Sequence, residues 1–280
     1  MLKEQSNFVQ RFFSIVLFTP VIVFAIFWSS WTYFFLFFYV VMLSMLEFYK
    51  LIKHANVSPM RGYGVWLGLF LYTISFAYYL QNSLAPIWSY VYVPLFLLVY
   101  IIALYSCKPS SPFLNIAATF LGIFYIAAPF SMLHYLAFYK EAYSYQLILG
   151  LLAIVWSQDT GAYLIGSTMG KSKFFERISP KKTWEGAFGG VLSTIITSYV
   201  IAHFFDILPL WQWICIAGIT IFTGTYGDLI ASLLKRSVAV KNSSEMIPGH
   251  GGLLDRIDSL LLTIPTVVAF LKIIIFLGIQ

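Results

Sequence analysis

"IPGHGGLLDRIDSLLLTIPTVVAFLKIIIFLG" (residues 247–278) crowds His250, Asp255, Arg256 and Asp258 against the start of an otherwise oily helix. The apolar run that follows is long enough to cross a bilayer, which requires about 20 residues. Charge beside lipid is costly, so such a cluster needs either partners or a function. Asp255 and Asp258 are three residues apart, which sends both carboxylates out from one helical surface, while Arg256 takes another azimuth. "PGHGG" (residues 248–252) predicts a tight turn, nearly free of side chains, that lets phosphate oxygens approach the backbone. The helix dipole alone also favours acidic residues in a first turn.

The rest of the chain fits the same solvent. Of 280 residues, 60% are hydrophobic and 10% charged, and the mean hydropathy is +0.84. A soluble core of this length has no use for that much apolar surface, so the expected fold is all-α, a polytopic membrane helical bundle. Apolar runs of spanning length fall near 12–28, 31–49, 63–80, 87–106, 113–137, 144–165, 186–205, 210–230 and 257–277, which predicts about nine transmembrane helices. The abundant Phe, Tyr and Trp suit rings at headgroup level. With nine spans and a cytoplasmic N-terminus, all but Lys140 and Lys272 of the 17 Lys and Arg residues fall on the inside. Lys272 can snorkel from the far end of the last helix. The positive-inside rule therefore predicts an N-in, C-out topology. The first run lacks a convincing small-residue cleavage site, which favours a span over a signal peptide. Cys107 and Cys215 match no metal or redox spacing and read as small buried hydrophobes. The pI of about 9.1 records topology and phosphate or headgroup binding, and nucleic acid is not an expected partner. Residues 1–280 read as a single membrane domain. Residues 1–140 are mainly scaffold and lipid-facing, and the polar motifs lie in 141–280.

Three constellations carry chemistry. In "WSQDTGAYLIGSTMGKSKFFERISPKKTWEGAFGG" (residues 156–190), Asp159 lies inside or near the end of an apolar span, where a lone carboxylate demands water or a partner. In "SPKKTWEG" (residues 179–186), Thr183 is a plausible N-cap. Lys181 and Lys182 stand just before a helix whose free N–H groups also attract anions, a good phosphate site. Gly186, Gly189 and Gly190 permit close helix packing or the close approach of a ligand. "GSTMGKSK" (residues 166–173) has three residues between its glycines where a P-loop needs four, and no strand–loop–helix unit surrounds it. In "TGTYGDLIASLLKR" (residues 223–236), Asp228 ends a span, Ser232 and Lys235 share its face, and Arg236 adjoins them. Asp228, Asp255 and Asp258 thus stand at the predicted cytoplasmic side. Hard divalent cations want such carboxylate oxygens, and Mg²⁺ typically takes one or two of them together with substrate phosphates.

"SLLKR" (residues 232–236) followed by "PGHGGLLDRIDS" (residues 248–259), with "SPKKTWEG", resembles phosphatidate cytidylyltransferase, the CDP-diacylglycerol synthase family. The likeness covers the whole chain and is most specific in its C-terminal half. It implies a polytopic bacterial inner-membrane enzyme with its active site facing the cytoplasm. Such an enzyme condenses CTP with phosphatidic acid, depends on Mg²⁺ or a similar cation, and is often a homodimer. Carried over by position, Asp228 and Asp255 are metal-binding carboxylates and Asp258 supports the same centre. Ser232, Lys235, Arg236, Lys241, His250 and Arg256 contact or organise phosphate-rich substrate, and Lys181 and Lys182 are further phosphate ligands. Asp159 matches another polar position of the family. Asn242, Ala231 and Ser167 depart from the usual pattern, each with the loss of one charge. The rival readings are a membrane transporter, which buried charges and glycine-broken helices also mark, and a CTP-dependent polyprenol or other lipid kinase. The polar clusters occupy only the second half of the chain and show no internal symmetry, which disfavours the first.

Overall fold

The computed structural model describes residues 19–81, 85–105, 111–176, 178–240 and 252–279. In hydrocarbon an open chain must satisfy its own backbone N–H and C=O groups, and the apolar runs accordingly form helices. α1 is described over Thr19–Trp28. It is followed by α2 (Ser30–Ile52), α3 (Arg61–Gln81), α4 (Ala85–Leu104), α5 (Pro112–Gly122), α6 (Ala128–Ala137) and α7 (Gln146–Met169). After the strands β1 (Lys173–Phe175) and β2 (Ser179–Thr183) come α8 (Trp184–Phe204), α9 (Leu210–Ser237) and α10 (Leu254–Phe276). Among the described residues, seven helical segments are long and apolar enough to cross a membrane: Ser30–Ala55, Arg61–Gln81, Pro112–Ala137, Gln146–Met169, Trp184–Phe204, Leu210–Ser237 and Leu254–Phe276. The other two apolar runs of the sequence correspond to shorter apolar helices, Thr19–Trp28 and Val91–Leu104. The fold is all-α as expected, with one short antiparallel hairpin, β1–β2, which pairs Lys173 with Thr183 and Phe175 with Ser179. Cys215, expected as a buried hydrophobe, is exposed on α9.

The chain forms two compact units, Met1–Tyr143 with Ser237–Arg256, and Ser144–Arg236 with Ile257–Gln280. In the first, α2 starts where the Ser29 hydroxyl accepts from the Trp31 N–H at 3.2 Å. Phe34, Phe37, Val41, Met45 and Phe48 then recur every three or four residues and are buried, the stripe by which a helix joins a core. Phe34 meets Phe76 of α3, and Phe37 meets Phe130 of α6. A π-turn, Ile123–Ala127, links α5 to α6. His134 is buried, yet both ring nitrogens have partners, the Tyr33 hydroxyl at 3.0 Å and the Tyr72 carbonyl at 3.1 Å. Phe34, Phe37, Phe76 and Phe130 of these helices serve packing.

In the second unit, lipid offers no hydrophobic drive between helices, and close backbone approach takes its place. α7 and α8 meet along glycine: a Cβ on Gly189 would stand 2.6 Å from Ile165 Cβ and 2.7 Å from the Gly161 carbonyl. Polar ties fix the seams. Ser193 donates to the Ser157 carbonyl at 2.8 Å, and the Gln158 amide nitrogen of α7 donates to the Ile221 carbonyl and the Thr225 hydroxyl of α9. α9 meets α10 through Thr223 and Thr263, whose hydroxyls are 2.8 Å apart, and through Gly227, which lies against the backbone of Asp258.

Candidate active site

Two residues of the hairpin region prepare one wall of the site. Thr183 is the N-cap of α8, its hydroxyl accepting from the Gly186 N–H at 3.2 Å. Glu185 folds its carboxylate back to accept from the N–H groups of Lys171 and Ser172 at 3.1 Å, which pins the start of the hairpin to the start of α8. The Trp184 N–H goes to the Ser172 carbonyl. The start of α8 was expected to offer free N–H groups to an anion, but Trp184 and Gly186 already spend theirs internally.

Lys181 and Lys182 part company. Successive residues of a strand face opposite ways. Lys181 is exposed, whereas the Lys182 ammonium reaches α9 and pairs with the Asp228 carboxylate at 2.8 Å. The Lys182 ammonium also donates to the Thr225 carbonyl at 3.4 Å. On the next turn of α9, Ser232 donates to the other Asp228 oxygen at 3.4 Å. Asp228 and Ser232 thus share one face of α9.

Asp258 completes the cluster from α10. It is buried at 7% exposure, and one carboxylate oxygen accepts from the Ser259 N–H at 2.8 Å. Asp228, Lys235 and Asp159 all lie within its electrostatic reach. The second unit thus gathers Asp159 of α7, Lys182 of β2, Asp228, Ser232 and Lys235 of α9, and Asp258 of α10. Asp159 is exposed, Asp228 and Lys235 are half-buried, and Arg236 is exposed at the end of α9. Two carboxylates within reach of each other repel, and the Lys182 ammonium paired with Asp228 offsets part of that charge. Gln158 and Thr225 were not singled out from the sequence. The buried Gln158 stands beside Asp159, and its bond to Thr225 helps hold the α9 turn on which Lys182 rests.

Asp255 and Arg256 belong to the first unit, at the start of α10. The Asp255 carboxylate accepts from the Gly252 N–H at 3.3 Å, and Arg256 is exposed. The N–H groups of Leu253 and Leu254 donate to Glu47 of α2, at 3.0 and 2.9 Å. The turn read from "PGHGG" lies outside the described residues except for Gly252, and at the start of α10 three consecutive donors are engaged by carboxylates. Lys241 and His250, together with Asn242, lie outside the described residues. Ala231 is buried in α9, and Ser167 turns its hydroxyl onto the Leu164 carbonyl.

Among the described residues, no three His, Cys, Asp or Glu side chains cluster closely enough to hold a metal ion unaided. Asp228 and Asp258 are hard oxygen donors, and two carboxylates with the remaining positions left to phosphate or water are what Mg²⁺ accepts. The residues therefore fit a cation that arrives with a phosphate-bearing ligand.

A cytidylyltransferase family model matches residues 9–274. A phosphatidate cytidylyltransferase of Staphylococcus epidermidis is 37% identical over 160 residues, which cover 56% of this chain and 60% of that protein. One of Haemophilus influenzae is 39% identical over 124 residues, covering 42% of this chain and 43% of its own length. The uncharacterized protein YnbB of Escherichia coli is 42% identical over 127 residues, covering 45% and 42%. The aligned part thus spans less than two thirds of each of these relatives.

Proposed function

The chain belongs to the cytidylyltransferase family, and on that premise we propose that it transfers the cytidylyl group of CTP to phosphatidic acid, giving CDP-diacylglycerol and pyrophosphate. One observation carries the reading: Lys182, Asp228 and Asp258, drawn from three separate motif stretches, meet at one end of the helices of the second unit. We place that end at the cytoplasmic face of the inner membrane, with the chain crossing nine times from a cytoplasmic N-terminus. The distribution of Lys and Arg supports this. A homodimer belongs to the same reading.

The reaction needs no protein nucleophile. A phosphatidate oxygen attacks the α-phosphorus of CTP in line, and the bond to the β-phosphate oxygen breaks to release pyrophosphate. A phosphomonoester with its second pKa near 6 is already largely ionised at neutral pH, so a general base is not required. The barrier is the approach of two polyanions. Lys182 and Lys235 stand among the carboxylates, where they offset charge on the transferring phosphoryl oxygens, and Lys181, Arg236 and Arg256 are exposed to reach the outer phosphates. Ser232 orients Asp228, and Lys241 and His250, assigned by their positions in the family motif, contact or organise the phosphate-rich substrate. Asp228 and Asp258 would hold Mg²⁺, which would supply Lewis-acid neutralisation of phosphate charge when bound, and Asp255 stands at the family's further carboxylate position. Asp159 adds a solvated carboxylate at the rim.

Purified protein in detergent, given CTP, phosphatidic acid and Mg²⁺, is expected to form CDP-diacylglycerol and pyrophosphate, with no product when any one component is omitted. A phosphorylated lipid with CDP would identify a lipid kinase instead. Neither product, with solute flux in proteoliposomes, would identify a transporter.

The two neighbouring lysines give a sharper test. Lys182→Ala is expected to lower kcat/KM for CTP by roughly 10²-fold, because it removes a cation aimed into the carboxylate cluster. Lys181→Ala should cost less than tenfold, since an exposed side chain is screened by water and salt. Equal losses, measured by steady-state kinetics, would contradict the assignment of Lys182 to the centre.

A further inference from the structure

Glu47 is buried at 3% exposure in α2, a helix that otherwise contributes aromatic and aliphatic packing. A carboxylate in that position is expensive unless its charge is met. It is met by backbone: one oxygen accepts from the Leu253 N–H at 3.0 Å and the other from the Leu254 N–H at 2.9 Å. Those are donors of the first turn of α10, which have no partner inside the helix and carry the positive end of its dipole. The Gly252 N–H is taken by Asp255 at 3.3 Å, and the Arg256 N–H closes a turn on the Leu253 carbonyl at 2.9 Å. The segment 252–256 is therefore fixed by two carboxylates, Glu47 from across the unit and Asp255 from within the turn. Both oxygens of Glu47 are used in a fork, so the contact sets direction as well as position.

We infer that Glu47 is a positioning residue: its carboxylate sets the first turn of α10 and thereby aims Asp255 and Arg256. It acts through the backbone of Leu253 and Leu254. The inference rests on the cytidylyl-transfer reading for what Asp255 and Arg256 do, and on the hydrogen bonds alone for how they are held. Glu47→Gln keeps the size of the side chain but replaces one acceptor by an NH₂ group, which sets a donor against a donor at Leu253 or Leu254. Glu47→Asp keeps the charge and falls one methylene short of the fork.

The test has two arms, both on the full-length protein in detergent. In the first, amide hydrogen exchange over residues 252–256 is expected to be at least roughly tenfold faster in Glu47→Gln than in wild type, with the remaining helices unchanged. In the second, the Mg²⁺ concentration for half-maximal turnover should rise by roughly 10- to 100-fold, as for other residues that orient a ligand, while KM for phosphatidic acid stays the same. Glu47→Asp should move both readouts in the same direction by less, and it replaces the amide variant if that one does not fold. A merely structural Glu47 would lower the yield of folded protein and leave the Mg²⁺ midpoint of the folded fraction unchanged, which would overturn the inference. Unchanged exchange at 252–256 would overturn it as well. Wild-type protein without CTP- and phosphatidate-dependent turnover would instead sink the function. It would take the role of aiming catalytic groups with it, and the exchange difference would then report the contact alone.

Discussion

Asp228→Asn is expected to cut cytidylyl transfer by roughly 10²–10³-fold while leaving folded protein in the membrane. The substitution keeps the shape and one carbonyl oxygen, so Ser232 retains an acceptor where it now lies 3.4 Å from Asp228. What it removes is the charge that faces Lys182 at 2.8 Å and lies within electrostatic reach of Asp258. Folding should survive because the Lys182 and Asp228 side chains are 27% and 35% exposed, and water can solvate a lysine left without its partner. The reaction should not survive, because the attacking and leaving phosphates lose the group that holds their counter-charge. Turnover with saturating CTP and phosphatidic acid, measured across a Mg²⁺ titration, separates the two outcomes. A variant that reaches near wild-type rates at any Mg²⁺ concentration would remove Asp228 from the centre.

Gly227→Ala should destabilise the second unit by roughly 1–3 kcal/mol and depress turnover by about 10²-fold. A Cβ at this position would stand 2.5 Å from the Asp258 carbonyl oxygen and 3.1 Å from Ser259 Cα. Both are backbone atoms, so no side chain can swing aside and α9 must part from α10. The parting occurs beside the proposed metal-binding pair, since Gly227 precedes Asp228 and presses on Asp258 itself. Gly218 on the same helix is the control, because nothing lies within 4 Å of a Cβ built there. Gly218→Ala should be tolerated or slightly stabilising, as alanine is the better helix former. Thermal unfolding in detergent and steady-state turnover of both variants test the claim. Equal melting temperatures would mean that the α9–α10 seam is looser than its glycine implies.

Much of this was legible from residue chemistry. A carboxylate inside an oily helix stands out because an apolar residue would be the cheaper choice, and that signal found Asp159, Asp228 and Asp258. Thr183 before a helix with Glu185 in its first turn reads as a cap, and it caps. The glycines at 186, 189 and 190 read as a close seam, and α7 lies against them. The hairpin was not legible: "SPKKT" has no alternation of apolar and polar residues and contains a proline, so no period of two announces a strand. The different fates of Lys181 and Lys182 follow only once that strand is known. Glu47 was not legible either. In "SMLEFYK" it looks like a boundary charge beside Lys50, and its partners are backbone groups 206 and 207 positions away, which leave no mark in any pattern of side chains.

That separation has a consequence for how the protein is made. At about 5–20 residues per second, the ribosome emits Leu253 roughly 10–40 seconds after Glu47. Throughout that interval the backbone donors that Glu47 meets in the finished fold do not yet exist, so headgroup water or the insertion machinery must stand in for them. Completion of the last helix therefore ends a waiting period for one of the earliest.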